Sequence, residues 1–485
     1  MASNRTKRKR RRYEALSFDT LRDKREQLWQ QSDNKSINAS LDWLNRKKLR
    51  QYARDEVYNN SYAYGAGQAL VTNIIGTGPR LQVVDRLGTD RTDNIASAIE
   101  EDFKAWTKEI RFARKLRAMR FSKFVDGEAF AIMHGNQKLD SDVKLDFTPI
   151  DCDRVTSHTN LEVKDRHRDI DGITTDEWGN PVSYRVLNEH PGGDAYGLTG
   201  SQDAKDYPAH LVCHWFNMTS SEMGRGLPEI APALKTFAFL RRYTYAVVRA
   251  SECAADIAMC LYTDTDDEGE DFEDEVPLEN PILEHSFSRG SAISIPYGMK
   301  VEQVKPEQPS SNYDMMVRQL LSSAGASIGL PAMIILNSAR DQSYSGGRIE
   351  LQEFYRYVQV EQQSCIEAVL EPIFKEWVTE WLLVNGYQSS ELRNLYCRWQ
   401  FDGFEHVDPL KEARAQVYRV TNNLTTLADE YGRIGKDWVE ELKQRAVEQE
   451  YIKKLEEQYD VRLNLDEDFN QGVITETKKE VDEDA

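Results

Sequence analysis

The sequence predicts an α+β fold, and three observations carry that prediction. Strand-like segments cluster between about residues 127 and 216 instead of alternating with helices, helical periodicity dominates on both sides of them, and two later helical stretches are unusually long. With 485 residues the chain has room for two to four domains, and 40% apolar and 10% aromatic residues suffice to build their cores.

The first twelve residues hold seven Lys or Arg, in MASNRTKRKRRR, with no apolar run behind them. This reads as a basic arm, either a solvated tail or a contact for nucleic acid or a partner, and not as a secretory signal. Over residues 41–75 apolar residues recur at helical spacing until IIGTGPRLQVVD, where glycines and a proline end the helix and a strand follows. Helices are expected through IASAIEEDFKAWTKEI and FARKLRAMRFSKFVDG, then strands at GEAFAIMH, VKLDFTPID, PVSYRVL and HLVCHWF, with GITTDEWGNP as turn chemistry.

After GRGLP, the segment EIAPALKTFAFLRRYTYAVVRASECAADIAMCLY has no strong breaker beyond Pro232. About 30 helical residues would make a rod of about 45 Å. Several of its faces are apolar, so it needs neighbours on more than one side. TDTDDEGEDFEDEVPLENP follows with ten acidic residues, then strand-like SAISIPYGMKVEQV. A second helix carries Tyr313, Met316, Val317, Leu320, Leu321, Ala324 and Ile328 on one stripe and stops at Gly329 and Pro331. A polar, glycine-bearing loop comes next, and a long helix is expected over 349–384, kinked at Pro372. The remainder from about Asp408 reads as increasingly polar helix, and residues 461–485 as an acidic, disordered tail.

Formal net charge is −19, whereas a compact protein that grips DNA through its phosphates is usually basic. The composition thus argues against a tight nucleic-acid binder but does not exclude a protein that lets DNA pass. No run approaches 18 apolar residues, so no membrane span is expected. The cysteines at 152, 213, 253, 260, 365 and 397 lack CxxC spacing and read as thiols of a reducing cytoplasm. No GxxxxGK[ST] phosphate loop occurs, GTG at 76–78 reads as a turn leading into a strand, and the HRD at 167–169 lacks the rest of a kinase signature. His210, Cys213 and His214 are assigned a structural role, since alternation along a strand would separate them. In the acidic loop, Asp264, Asp266, Glu268 and Glu275 fall at EF-hand ligand positions around Gly269. Asp267 and Asp271 add charge, and a solvated loop is favoured over a metal site. Neither a catalytic constellation nor a cofactor site emerges.

The order of segments resembles the lambda-like portal protein family of tailed bacteriophages. LRQYARDEVYNNSYAYGAGQALVTNIIGTGPRLQ resembles its N-terminal signature, DGEAFAIMH, FTPIDCDRV and GITTDEWGNPVSYRV its strand region, and HLVCHWF with GRGLPEIAPAL the start of its first stem helix. GASIGLPAMIIL and SYSGGRIELQEF resemble the end of the second stem helix and the loop beyond it. HVDPLKEARAQVYRVTNNLTTLADEYGRIGKDWVEELKQRAVEQE is similar to the C-terminal pattern.

The resemblance implies a basic arm (1–40), a wing (41–227), a first stem helix (228–262), a small α/β clip (263–311) and a second stem helix (312–330). A tunnel loop (331–348), a kinked wing helix with a return strand (349–407), a helical crown (408–460) and the acidic tail would follow. It further implies a ring, dodecameric in this family, at one capsid vertex, through which double-stranded DNA is packaged and ejected. The implied partners are the terminase large subunit, the major capsid protein and a head–tail connector protein. Arg340 and Arg348 are the expected sparse DNA contacts, with Gln342, Ser343, Tyr344 and Ser345 as neutral neighbours; Arg348 could instead pair with a neighbour's Glu350 or Glu353. A non-portal structural protein of capsid or tail, or a DNA-processing enzyme, are the alternatives.

Overall fold

The computed structural model describes residues 35–85, 90–157, 169–193, 203–255, 259–263, 299–303, 310–340, 343–388, 395–403, 409–433, 436 and 438–459. They belong to two compact units interleaved along the chain. One draws on 1–70, 119–132 and 149–361, the other on 71–118, 133–148 and 362–485.

In the first unit, α1 (Ile37–Ser40) and α2 (Trp43–Asn59) start at Ser36 and Asp42, whose side chains accept from Ala39 N and Asn45 N. The single helix expected over 41–75 is two. Asn60 turns extended (φ −125°), and its Oδ1 accepts from Tyr62 N at 3.0 Å to cap α3 (Ser61–Ile74). A polar residue able to cap a new helix overrides continuous periodicity. Helix α5 (Phe112–Asp126) ends at Gly127, whose φ of +90° turns the chain into β2 (Glu128–Gly135). A β-carbon there would lie 2.1 Å from the Leu227 carbonyl carbon, so glycine is required.

Strand β2 lies between β3 (Leu145–Ile150) and β8 (Val212–Phe216), pairing antiparallel with β8 so that Glu128 faces Phe216. A second, four-stranded antiparallel sheet runs in chain order through β4 (Asp169–Ile170), β5 (Ile173–Thr175), β6 (Pro181–Leu187) and β7 (Ala204–Pro208). Alternate residues Phe130 and Ile132 of β2 join Ile150, Cys152, Val155, Ile173, Tyr184, Val186 and Val212 in one buried cluster. His210 lies in a 3-10 turn before β8, not on the strand, so the alternation expected to separate it from Cys213 does not apply.

The first long helix, α6, spans Leu234–Ala255 after a 3-10 turn at Ala231–Ala233. It stops short of the expected 262, because Met259–Thr263 is instead strand β9, paired antiparallel with β10 (Met299–Gln303). Backbone pairing with β10 takes the hydrogen bonds a continued helix would have used. The acidic residues Asp264, Asp266, Asp267, Glu268, Asp271 and Glu275 lie outside the described residues. Helix α7 (Ser310–Ile328) packs against α6, and α8 (Ala332–Ile335) follows Pro331. Helix α9 (Tyr344–Cys365) then carries the chain into the second unit.

There, a π-helical turn at Ile366–Leu370 precedes α10 (Glu371–Asn385). Pro372, which has no N–H to donate, sits in the first turn of α10 just after this π-helical turn. Strand β1 (Arg80–Asp85) pairs antiparallel with β11 (Leu395–Gln400). The GTG turn leads into β1 with both glycines at positive φ, and Asp402 accepts from Thr77 N and Thr77 Oγ1 at 2.5 and 2.6 Å. Phe103 and Trp106 of α4 (Asp90–Glu109) pack with Phe112, Phe374, Trp377 and Trp399 in an aromatic core. Helices α11 (Pro409–Thr421), α12 (Leu427–Arg433) and α13 (Trp438–Tyr459) complete the chain. Phe103 is 2% exposed, so Phe103→Ala is expected to cost about 3–5 kcal/mol in urea unfolding; a loss under about 1 kcal/mol would contradict that packing.

Candidate functional site

The α6–α7 pair is held by Leu234, Phe237 and Leu240 on one helix and Val317, Leu321, Ala324 and Ile328 on the other, all buried. Tyr243 stacks on Tyr313 at 5.7 Å between ring centres. The outward faces are not polar. Phe239, Tyr245 and Val248 of α6 and Met315 and Met316 of α7 are about half exposed or more, and Met316 was expected inside. Between Leu234 and Ser251, α6 carries Lys235, Arg241, Arg242 and Arg249 and no acidic residue.

Helix α7 closes at Gly329 (φ +75°), and Leu330 N donates to Gly325 O at 2.9 Å. Beyond α8, Arg340 is exposed on the connecting segment, and Gln342 lies outside the described residues. The expected loop through 348 is shorter. Ser343 Oγ accepts from Gly346 N at 3.1 Å and starts α9, so Tyr344, Ser345 and Arg348 sit in or just past its first turn, all exposed. The hydroxyl satisfies an N–H that the first turn would otherwise leave without a partner. Within its own chain Arg348 makes no ion pair among the described residues, and Glu353 there pairs with Arg356 at 3.8 Å. Two exposed guanidiniums thus flank the positive end of a helix, an electrostatic setting that favours anions.

What fixes the start of α6 is a buried charge network that periodicity did not reveal. Arg46, Arg50 and Arg54 lie along one side of α2. The Glu128 carboxylate, wholly buried, accepts from Arg50 Nη2, from Arg225 Nε at 2.9 Å and Nη2 at 2.7 Å, from His214 Nε2 at 3.0 Å and from Gly226 N at 2.9 Å. Arg225 Nη1 also donates to Val155 O at 2.9 Å, and Arg46 pairs with Asp171. One turn before α6, Glu229 ion-pairs with Arg120 at 2.9 Å without hydrogen-bond alignment. Lys123 sits 2.5 Å from Glu361 on α9 and 4.9 Å above the Trp215 ring. The approach to α6, α2, α5 and α9 are tied together through these ions.

Burial alone would raise the Glu128 pKa, but Arg225 and Arg50 outweigh it and hold the carboxyl well below its usual range. Burial lowers His214 despite its bond to Glu128, and Phe130 and Phe216 stack on its faces at 4.2 and 4.3 Å, so it serves structure. Burial pushes the Cys213 and Cys397 thiols up to about 12; neither they nor Cys152 and Cys365 form a disulfide among the described residues. Asp151, Asp153 and His190 are close enough to share a cation. Arg54, however, donates to Asp153 at 2.7 Å and Asp151 at 3.3 Å and already supplies the positive charge.

A family model for the lambda family of phage portal proteins matches residues 22–362. The chain belongs to that family. The family is structural and non-enzymatic, and every element from α2 through most of α9 falls within the match. A "Probable portal protein" of Halomonas phage phiHAP-1 is 22% identical over 429 residues, 84% of this chain and 81% of that one. Among solved structures, the chain is similar to one in the virion of a native gene transfer agent particle (12% identity, 81% of this chain, 93% of that chain, TM-score 0.42). It is also similar to an HK97 family phage portal protein from Corynebacterium diphtheriae (14%, 75%, 98%, TM-score 0.32). No described helix of this portal protein is long and apolar enough to cross a membrane.

Two outcomes follow for the buried network. Glu128→Gln leaves two buried guanidiniums short of charge and is expected to cost about 3–5 kcal/mol in chemical denaturation. A folded pKa held below the unfolded one contributes stability above the unfolded value and loses it as pH falls. Stability should therefore decline first below about 6.5, where unfolded His214 takes up a proton, and again below about 4.5 through Glu128. In His214→Gln the upper step should vanish from a pH series of unfolding midpoints; its persistence would assign that step elsewhere.

Proposed function

We infer that this portal protein assembles into a closed ring, twelve-fold as the family resemblance implies, at one vertex of the capsid. Its α6 and α7 helices surround the channel through which double-stranded DNA enters during packaging and leaves at ejection. The observation that carries the reading is the outward face of the α6–α7 pair. Phe239, Tyr245, Val248, Met315 and Met316 leave apolar surface on two sides of a stem already packed within one chain, which is what a helix pair flanked by copies of itself requires.

The electrostatics support the DNA reading. Each phosphate neutralised by a basic group strengthens binding and its salt dependence, so a densely basic wall would stall a moving duplex. A chain at −19 that exposes Arg340 and Arg348 on the segment after α7 supplies a sparse contact instead. The region between β9 and β10 is the proposed clip, the docking place of the terminase large subunit and later of the head–tail connector protein. The strand-bearing body is the proposed wing against the major capsid protein. In this reading the chain is made in the host cytoplasm and ends in the virion.

Purified wild-type chain is expected to show a mass near twelve subunits and a central hole in negative-stain images. Tyr245→Asp with Met315→Asp should leave folded monomers. Arg340→Ala with Arg348→Ala should leave the ring intact and reduce packaged DNA several-fold. A compact dimer without a hole would contradict the reading.

A further inference from the structure

The face of α6 turned away from α7 carries a stripe of positive charge. Lys235, Arg242 and Arg249 follow one another at seven-residue intervals, and all three are exposed. At about 100° per residue each lies about 20° behind the one before, so they share one side of the helix, about 10 Å apart along its axis. Phe237 and Leu240, both buried, and Thr244, whose hydroxyl accepts from Tyr313 of α7 at 3.4 Å, lie on the opposite side.

Nothing within the chain neutralises the stripe. Arg241, off to one flank, is spent on Glu56 at 3.1 Å, and Asp314, the one acidic residue of α7, pairs with Arg318 at 2.8 Å. Lys235, Arg242 and Arg249 make no ion pair among the described residues, and the first acidic residue on α6, Glu252, comes only after them. Lys235 Nζ lies 5.9 Å over the Phe239 ring and the Arg249 guanidinium 5.6 Å over the Tyr245 ring. These rings hold the two ends of the stripe in place without cancelling its charge.

In a chain at −19 such a column calls for an extended anion. Cations about 10 Å apart cannot converge on one phosphate, whereas a duplex carries a phosphate about every 1.7 Å of its axis. About six phosphates of a parallel duplex pass between one cation and the next, so a single stem touches DNA at few points and does not clamp it. We propose that Lys235, Arg242 and Arg249 form the channel-facing side of the stem and contact the phosphates of the passing double-stranded DNA. Val248, about 100° round the helix from Arg249, stays available to a neighbouring copy, so the two uses of α6 do not compete. The proposal rests on the ring reading and assigns one face of its stem.

The test uses the assembled full-length chain and a short labelled linear duplex, with anisotropy followed across a potassium chloride series. Combining Lys235→Gln, Arg242→Gln and Arg249→Gln should lower the slope of log affinity against log salt by about 3 or more, since each lost phosphate contact removes about 0.9. The same charge change at Lys108, Lys138 and Lys453, also exposed, should leave the slope unchanged. Exchanging the three for Arg, Lys and Lys should retain it. A covalently closed circle of the same sequence, which cannot thread a closed ring, should bind far more weakly than the linear duplex. A circle bound as tightly as the linear duplex overturns the channel placement. A triple Gln variant with the wild-type slope, or a wild-type ring that binds no linear duplex, overturns the stripe and leaves the ring standing. A triple Gln variant that folds but no longer closes the ring assigns the stripe to acidic groups of the neighbouring copy and overturns the DNA contact. A wild-type chain that stays monomeric at every concentration overturns the ring reading and the channel placement with it.

Discussion

The Glu128 carboxylate is where the structure is decided. It sits at zero exposure between Arg50 from the N-terminal helix, Arg225 and the Gly226 amide from the approach to the stem, and His214 from the neighbouring strand. A buried carboxylate is tolerable only if its oxygens are filled with donors and its charge is opposed, and these four partners supply both. The constraint runs in both directions. Gly127 must adopt positive φ to bring Glu128 there, and the backbone at Leu227 and Pro228 closes so tightly over Gly127 that no β-carbon fits. The chain approaches α6 at a point where strand and turn leave no room for a side chain at Gly127.

That rigidity gives the exposed groups their meaning. Arg340 lies on a connection held at one end by the Gly329 stop and at the other by the Ser343 cap, and Arg348 lies just inside the helix that this cap starts. Lys123 and Glu361, both buried, tie α9 back to α5. The acidic total and the two exposed guanidiniums at this connection then fit a conduit better than a clamp, since affinity for DNA grows with each phosphate neutralised.

Much of this was legible in the residues, and what was not has physical causes. Most helices and strands followed from periodicity. Asn60 and Ser343 were misread because capping residues compete with a periodic pattern, so one helix became two and a polar loop became the first turn of another. The first long helix was expected to run to residue 262, but over Met259–Thr263 pairing with a strand some forty residues on decides instead, and window-by-window reading cannot see such a partner. The ion network was the largest omission. Arg46, Arg50 and Arg54 recur every four residues and so share a face with one another, but only the fold shows that this face points inward at Glu128 and Asp153.

The central claim is that α6, α7 and the Arg340–Arg348 connection face one channel in a closed assembly. A cryo-electron microscopy reconstruction of the assembled full-length chain tests it most directly. The account predicts a ring whose α6 and α7 helices line the lumen, with Arg340 and Arg348 at its narrowest point. A closed ring that turns those two arginines to the outer surface, or buries them against a neighbouring body, would contradict it.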